Sequence, residues 1–172
     1  MDDVEEVRTA LGYGKVNLMG GSYGTRAVLT YLRRHPRSVR TALLEGVVPP
    51  DDRYPMGVAR GAQEALDGLI AECAGDAACH GAFPKLREEI DAVLRRVTAE
   101  PARVELIDPE TGQPSELRLG RAGVAQTLRY MTYSPGGAAP LPLLVHQAAA
   151  GDFRPLAQTA RLYASFMGST AD

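Results

Sequence analysis

Lys15-Val16-Asn17-Leu18-Met19-Gly20-Gly21-Ser22-Tyr23-Gly24-Thr25-Arg26 is the stretch on which the fold turns. Residues 15–19 are β-compatible and run straight into a glycine-rich turn. Residues 25–34 follow with good helix formers, Ala27, Val28, Tyr31 and Leu32 on one face, and a basic end that suits the helix dipole; Pro36 lies just beyond. The order read here is strand, sharp turn, helix. Upstream, Val4, Val7 and Leu11 stand at helical spacing behind an acidic opening turn, which predicts an amphipathic helix ending at Gly12. Downstream, residues 39–48 form an apolar run of strand length closed by Pro49-Pro50-Asp51-Asp52. Helix, strand, helix, strand is the pattern of a parallel α/β unit.

Past Asp52 the pattern changes. Residues 57–72, 84–98, 120–131, 139–150 and 153–167 carry Ala, Leu, Val and Ile at helical spacing with Gly or Pro between them. One strand-like pair, 103–107 and 116–119, is joined by a turn-rich Asp108-Pro109-Glu110-Thr111-Gly112-Gln113 and predicts a hairpin within 103–119. The Ala/Gly-rich stretch 134–151 is expected to be mobile, and Cys79 and His80 are expected in a loop. The fold class is therefore α/β: a partial parallel sheet over residues 1–52, a mostly helical inserted domain over 53–167, and a return segment at 168–172.

The 172 residues are 45% hydrophobic and 23% charged, with a net charge of −2, an ordinary globular balance. No basic stripe or Lys/Arg-rich block is present, so neither nucleic acid nor an anionic membrane is an expected partner. No apolar run approaches the roughly 20 residues of a membrane span; the longest candidate, 141–150, is interrupted by Pro142 and His146. The acidic opening Met1-Asp2-Asp3-Val4-Glu5-Glu6 is unlike a signal peptide, so a chain that truly begins there is expected in the cytoplasm.

Gly20-Gly21-Ser22-Tyr23-Gly24 fits G-x-S-x-G, with a strand before and a helix after, the context in which that motif presents a nucleophilic serine. A plain flexible turn is the other reading of the same five residues. In the catalytic reading the turn strains the Ser22 backbone, and Gly20 and Gly24 are needed because side chains there would meet neighbouring backbone. The Ser22 hydroxyl is then held at the sheet edge, and the Tyr23 N–H, at the positive end of a helix, becomes an oxyanion donor.

Three segments carry a resemblance: Val16 through Arg26 as quoted, Arg34-His35-Pro36, and Leu44-Glu45-Gly46-Val47-Val48-Pro49-Pro50. They resemble the prolyl-aminopeptidase and tripeptidyl-aminopeptidase-like branch of the α/β-hydrolases, with Glu45 where that family usually has Asp. The segment from Asp52 to about Met167 is similar to the helical cap inserted in that family. The resemblance implies removal of residues or short peptides from a free N-terminus through an acyl-Ser22 intermediate; no cofactor and no metal is expected. It also implies a fragment, because the family's acid and histidine follow the cap and its Gly-rich oxyanion loop precedes the elbow.

None of the histidines present suits the missing base. His35 ends the elbow helix, His80 adjoins Cys79, and His146 lies in an apolar run; Asp152 and Asp172 have no spacing that recommends them as the acid. Cys73 and Cys79 leave two readings open: a short disulfide over a helix end, which exported relatives favour, and buried free thiols. Zinc would require a fourth ligand and a Cys-x-x-Cys knuckle.

The expected partners are a peptide or a small amide or ester substrate, and a complementing chain or oligomer covering the incomplete sheet. The alternative function is a non-catalytic remnant or helical binding module, since two parallel strands cannot bury both faces. Within the hydrolase class, an esterase or acyltransferase uses the same elbow.

Overall fold

The computed structural model describes residues 1–53, 55–109 and 111–167, so the return segment expected at 168–172 lies outside the described residues. The chain divides into two compact units, Met1–Gly57 and Val58–Asp172.

In the first unit, α1 (Asp2–Ala10) leads to β1 (Val16–Gly21), α2 (Tyr23–Arg34), a 3-10 turn at Pro36–Ser38 and β2 (Val39–Glu45). The strands pair in parallel from Val16↔Val39 to Gly21↔Glu45, with one irregularity between Val16 and Asn17. The strand read over 39–48 ends at Glu45, because Gly46 takes φ +60°, a conformation that glycine adopts freely. α2 buries Thr25, Val28 and Tyr31.

The stripe that identified α1 is not what holds it. Val4, Val7 and Leu11 are all exposed, and no α1 residue is buried. Polar contacts do the anchoring instead. The Glu5 carboxylate accepts from Arg8 (2.8 Å), from the Tyr31 hydroxyl (2.5 Å) and from Ser38 (2.9 Å). Asp2 pairs with Arg34 and with His35 Nε2, the latter at 3.0 Å. The Arg8 bonds above all, then that of Tyr31, hold the Glu5 carboxyl well below the usual carboxylate range.

The second unit contains most of α3 (Met56–Gly75), then α4 (Ala77–Ala82), α5 (Leu86–Ala99), the antiparallel hairpin β3 (Ala102–Ile107) and β4 (Pro114–Leu119), α6 (Arg121–Met131), α7 (Pro135–Ala138), α8 (Leu141–Ala149) and α9 (Arg154–Met167). Alternation sets the hairpin's inner face: Val104, Leu106, Leu117 and Leu119 are buried in a core with Val93, Val97, Val124, Leu141, Val145 and Leu156.

Two expectations are corrected here. Cys79 and His80 lie on α4, not in a loop; Asp76 caps that helix by accepting from the Cys79 N–H (2.7 Å), and six residues are too few to show a helical period. Cys73 and Cys79 are joined by a disulfide with Cα atoms 5.0 Å apart, which ties α3 to α4. The stretch 134–151 is structured. Ser134 caps α7, accepting from the Gly137 N–H (3.1 Å), and α8 buries Leu141, Pro142, Val145 and Ala148. Among the described residues, no helix is long and apolar enough to cross a membrane.

Candidate active site at the strand-to-helix elbow

Ser22 stands at φ +50°, ψ −121° and is, among the described residues, the one non-glycine with positive φ. Such a backbone costs on the order of 1–3 kcal/mol and persists only where its surroundings enforce it. The enforcing bonds are identifiable. The Ser22 N–H donates to the Glu45 carbonyl (2.9 Å), carrying the β1–β2 ladder one step past the last paired residues. Its carbonyl accepts from both the Thr25 N–H (3.0 Å) and the Thr25 hydroxyl (2.6 Å).

Thr25, fully buried, also accepts from the Val48 N–H (2.9 Å), so one side chain fixes both the turn and the segment after β2. Arg26 extends that hold by donating to the carbonyls of Pro50 (2.6 Å) and Asp52 (3.2 Å). Sequence reasoning assigned no such role to either residue. A hydroxyl three positions after the serine, on the inward face of α2, was the available signal for Thr25.

The glycines are not equivalent. A Cβ on Gly20 would lie 2.6 Å from the Gly24 carbonyl oxygen and 2.9 Å from Val28, so α2 folds back over β1 too closely for any side chain there. A Cβ on Gly21 or Gly24 would meet nothing within 4 Å. The steric demand expected of Gly24 is absent because its carbonyl makes the approach while its own Cβ position is open.

The Ser22 hydroxyl is exposed and has no hydrogen-bond partner among the described residues. Beside it, Tyr23 is the first residue of α2; its N–H has no partner among the described residues and sits at the positive end of the helix dipole. The Tyr23 ring is exposed. The elbow thus offers a hydroxyl and a backbone donor side by side.

Within the first unit no base stands with them. Ser22 and His35 cap opposite ends of α2, a separation of roughly 20 Å at 1.5 Å per residue, and His35 is engaged by Asp2. His80 and His146 belong to the second unit, where His146 Nδ1 lies 2.8 Å from Glu89 Oε1 and its ring is edge-on to Phe83. Asp152 accepts from the Arg154 N–H (3.0 Å) at the start of α9, and Asp172 lies outside the described residues. Among the described residues no group of three or more His, Cys, Asp or Glu is arranged to hold a metal ion.

Residues 1–71 match the family described as alpha/beta hydrolase fold. Serine protease Hip1 of Mycobacterium tuberculosis is 32% identical over 136 residues, which is 77% of this chain and 24% of that protein. Proline iminopeptidase of Neisseria gonorrhoeae is 42% identical over 45 residues, 26% of this chain and 14% of that protein. The chain spans about a quarter or less of the length of these curated relatives.

Proposed function

Through residues 1–71 the chain belongs to the α/β-hydrolase fold family, and on that premise we propose that Ser22 is the nucleophile of a serine peptidase that releases residues or short peptides from the N-terminus of its substrates. The observation that carries this is the positive φ of Ser22, enforced by Glu45 and Thr25 at the junction of a strand and a helix. Strain of that kind at a serine is what a nucleophile elbow requires.

In the proposed reaction Ser22 Oγ attacks the scissile carbonyl while a histidine takes its proton, and the tetrahedral oxyanion accepts from the Tyr23 N–H. One such donor is worth about 10²–10³ in rate. The histidine returns the proton to the leaving amine, and water then hydrolyses the acyl-Ser22 ester. We assign the histidine and its acid to parts of the hydrolase outside the described residues, following the chain order serine, acid, histidine of this fold. The exposed Met19 and Leu43 on the strand pair are, in this reading, surfaces that the remainder of the sheet covers.

A second reading has its own observation: the second unit buries one continuous apolar cluster, and Ser22 has no base within the first unit among the described residues. That combination suits a binding module. Fluorophosphonate labelling of the protein isolated from its native cells separates the two. Covalent modification of Ser22, lost in Ser22→Ala, is the expected result; an unmodified Ser22 under conditions that label a control serine hydrolase overturns the peptidase and leaves the binding module. Comparing turnover of a peptide anilide with that of a matched ester then separates peptidase from esterase.

A further inference from the structure

Both edges of the second unit's hairpin present outward backbone groups, and among the described residues one of these, the Ile107 carbonyl on β3, is engaged. The Asp108 N–H donates to the Gln113 carbonyl (2.8 Å), and the register runs from Ile107↔Pro114 to Ala102↔Leu119. Antiparallel alternation then makes Leu106/Ser115, Val104/Leu117 and Ala102/Leu119 the hydrogen-bonded pairs. The N–H and C=O groups of Glu116 and Arg118 consequently point away from β3. On the β3 side, the Ile107 carbonyl accepts from Arg161 (3.1 Å), whose guanidinium also reaches Ser115 Oγ (2.8 Å). Among the described residues nothing engages the outward backbone of Glu116 or Arg118.

Those two residues border a cleft of about 590 Å3, a size typical of ligand sites. Its other walls come from α6 and α9: Ala122 and Gln126, with the stacked rings of Tyr130 and Tyr163, whose centroids are 5.8 Å apart. Beneath them Thr127 gives its hydroxyl to the Gly123 carbonyl (2.7 Å), so ring surface provides an apolar wall and the open polar groups lie along the strand. Charge is unequal along that strand. Glu116 has Arg103 at 3.7 Å, whereas Arg118 has no ion pair among the described residues, which leaves the end of the cleft nearer α6 positive.

We propose that this cleft docks an extended peptide segment by strand addition to β4, with an apolar or aromatic side chain against Tyr130 and Tyr163 and the carboxylate-bearing end at Arg118. A donor and an acceptor repeating at every second residue match an extended backbone. An unpaired guanidinium beside an apolar wall selects a chain that ends in, or carries, a carboxylate. The proposal deepens the peptidase reading and rests on it for the ligand being a peptide.

The test uses the chain as Ser22→Ala, so that no turnover intervenes, with fluorescein-labelled Ala-Ala-Tyr-Ala-Phe-Ala bearing a free C-terminal carboxylate as the probe. Saturable binding is expected, with slowed amide exchange at Glu116 and Arg118. N-methylation of the peptide at alternate residues should abolish binding in one register and spare it in the other. Arg118→Gln should weaken the free acid about tenfold, the scale of one charge-assisted bond, and leave the C-terminally amidated peptide unchanged. Ala122→Phe, which fills the cleft from an exposed helix position, should remove binding while circular dichroism stays native. Binding indifferent to N-methylation in both registers, protection elsewhere than β4, or no binding by a natively folded chain each overturns the proposal. Fluorophosphonate labelling of the native protein keeps the two readings apart: a labelled Ser22 with no peptide binding sinks the cleft alone, and peptide binding with an unlabelled Ser22 sinks the peptidase alone.

Discussion

Among the described residues, Val28, Tyr31 and Val39 are the hydrophobic side chains that the first unit buries, whereas the second gathers Val93, Val97, Val124, Leu141, Val145, Leu156 and their neighbours into one continuous cluster. The candidate nucleophile belongs to the unit with the smaller core. Its strained backbone is enforced by a handful of directed bonds, to Glu45, Thr25 and, through Thr25, Val48, and α1 is held to α2 and the following turn by the carboxylates of Glu5 and Asp2. Hydrogen bonds contribute about 1 kcal/mol each, while a buried Leu or Val contributes 1.5–3 kcal/mol or so. The two units should therefore respond to different perturbations.

The largest expected effect is a cavity in the second unit. Leu156 is fully buried on α9, and Leu156→Ala should lower the stability of that unit by about 2–5 kcal/mol, read as lost amide protection across α5, α6, α8 and α9. Protection in β1 and α2 should not change. Its counterpart in the first unit, Leu43→Ala at a strand position 60% exposed in this chain alone, should stay within about 0.5 kcal/mol when the chain is measured without the rest of the sheet. Equal losses in both units would erase the distinction.

Next in size is a backbone collision in the first unit. Gly20→Ala places a methyl 2.6 Å from the Gly24 carbonyl, and the strain should cost about 1–3 kcal/mol, measured as loss of amide protection at the start of α2 and of fluorophosphonate labelling. Gly24→Ala meets no neighbour, and as an early helical position it should be neutral or gain up to about 1 kcal/mol. The pair sharpens the comparison because both glycines belong to one motif and only one makes the close approach. Similar losses at both would mean that α2 lies differently over β1.

What was legible in the sequence follows the same division of forces. The elbow could be read because Gly20 and Gly24 bracket Ser22 between a five-residue β run and a basic-ended helix, signals that are local. The hairpin and the long helices of the second unit were legible from their periods, to within a few residues at their ends. α4 was missed because its evidence is a single cap, Asp76, and α7 because its evidence is Ser134 before a proline. The stripe on α1 predicted the helix but not its environment: Val4, Val7 and Leu11 stay exposed while Glu5 does the anchoring, and nothing local pairs residue 5 with residues 31 and 38. For the same reason Thr25 was not seen, since its second partner, Val48, is twenty-three residues away.

The smallest expected effect is a pH dependence confined to the first unit's polar anchor. Glu5 is held below the ordinary carboxylate range by bonds from Arg8, Tyr31 and Ser38, so the unfolded chain binds its proton more readily than the folded one. The stability this contributes is complete above the unfolded value of about 4.3 and is lost as pH falls below it toward the depressed folded value. Amide protection in α1 and α2, corrected for intrinsic exchange, should be level from about pH 8 to 5.5 and decline between about pH 5 and 3. Glu5→Gln should weaken α1 at neutral pH and flatten that decline without abolishing it, because Asp2 is lowered as well, chiefly by its bond to His35. Salt gives a further contrast. The exposed Asp67–Arg87 pair of the second unit should yield to about 0.5 M sodium chloride, whereas Glu5 keeps two neutral hydroxyl donors that ionic screening does not touch. An acid-induced decline that persists unaltered in Glu5→Gln would show that α1 is held by something other than this carboxylate.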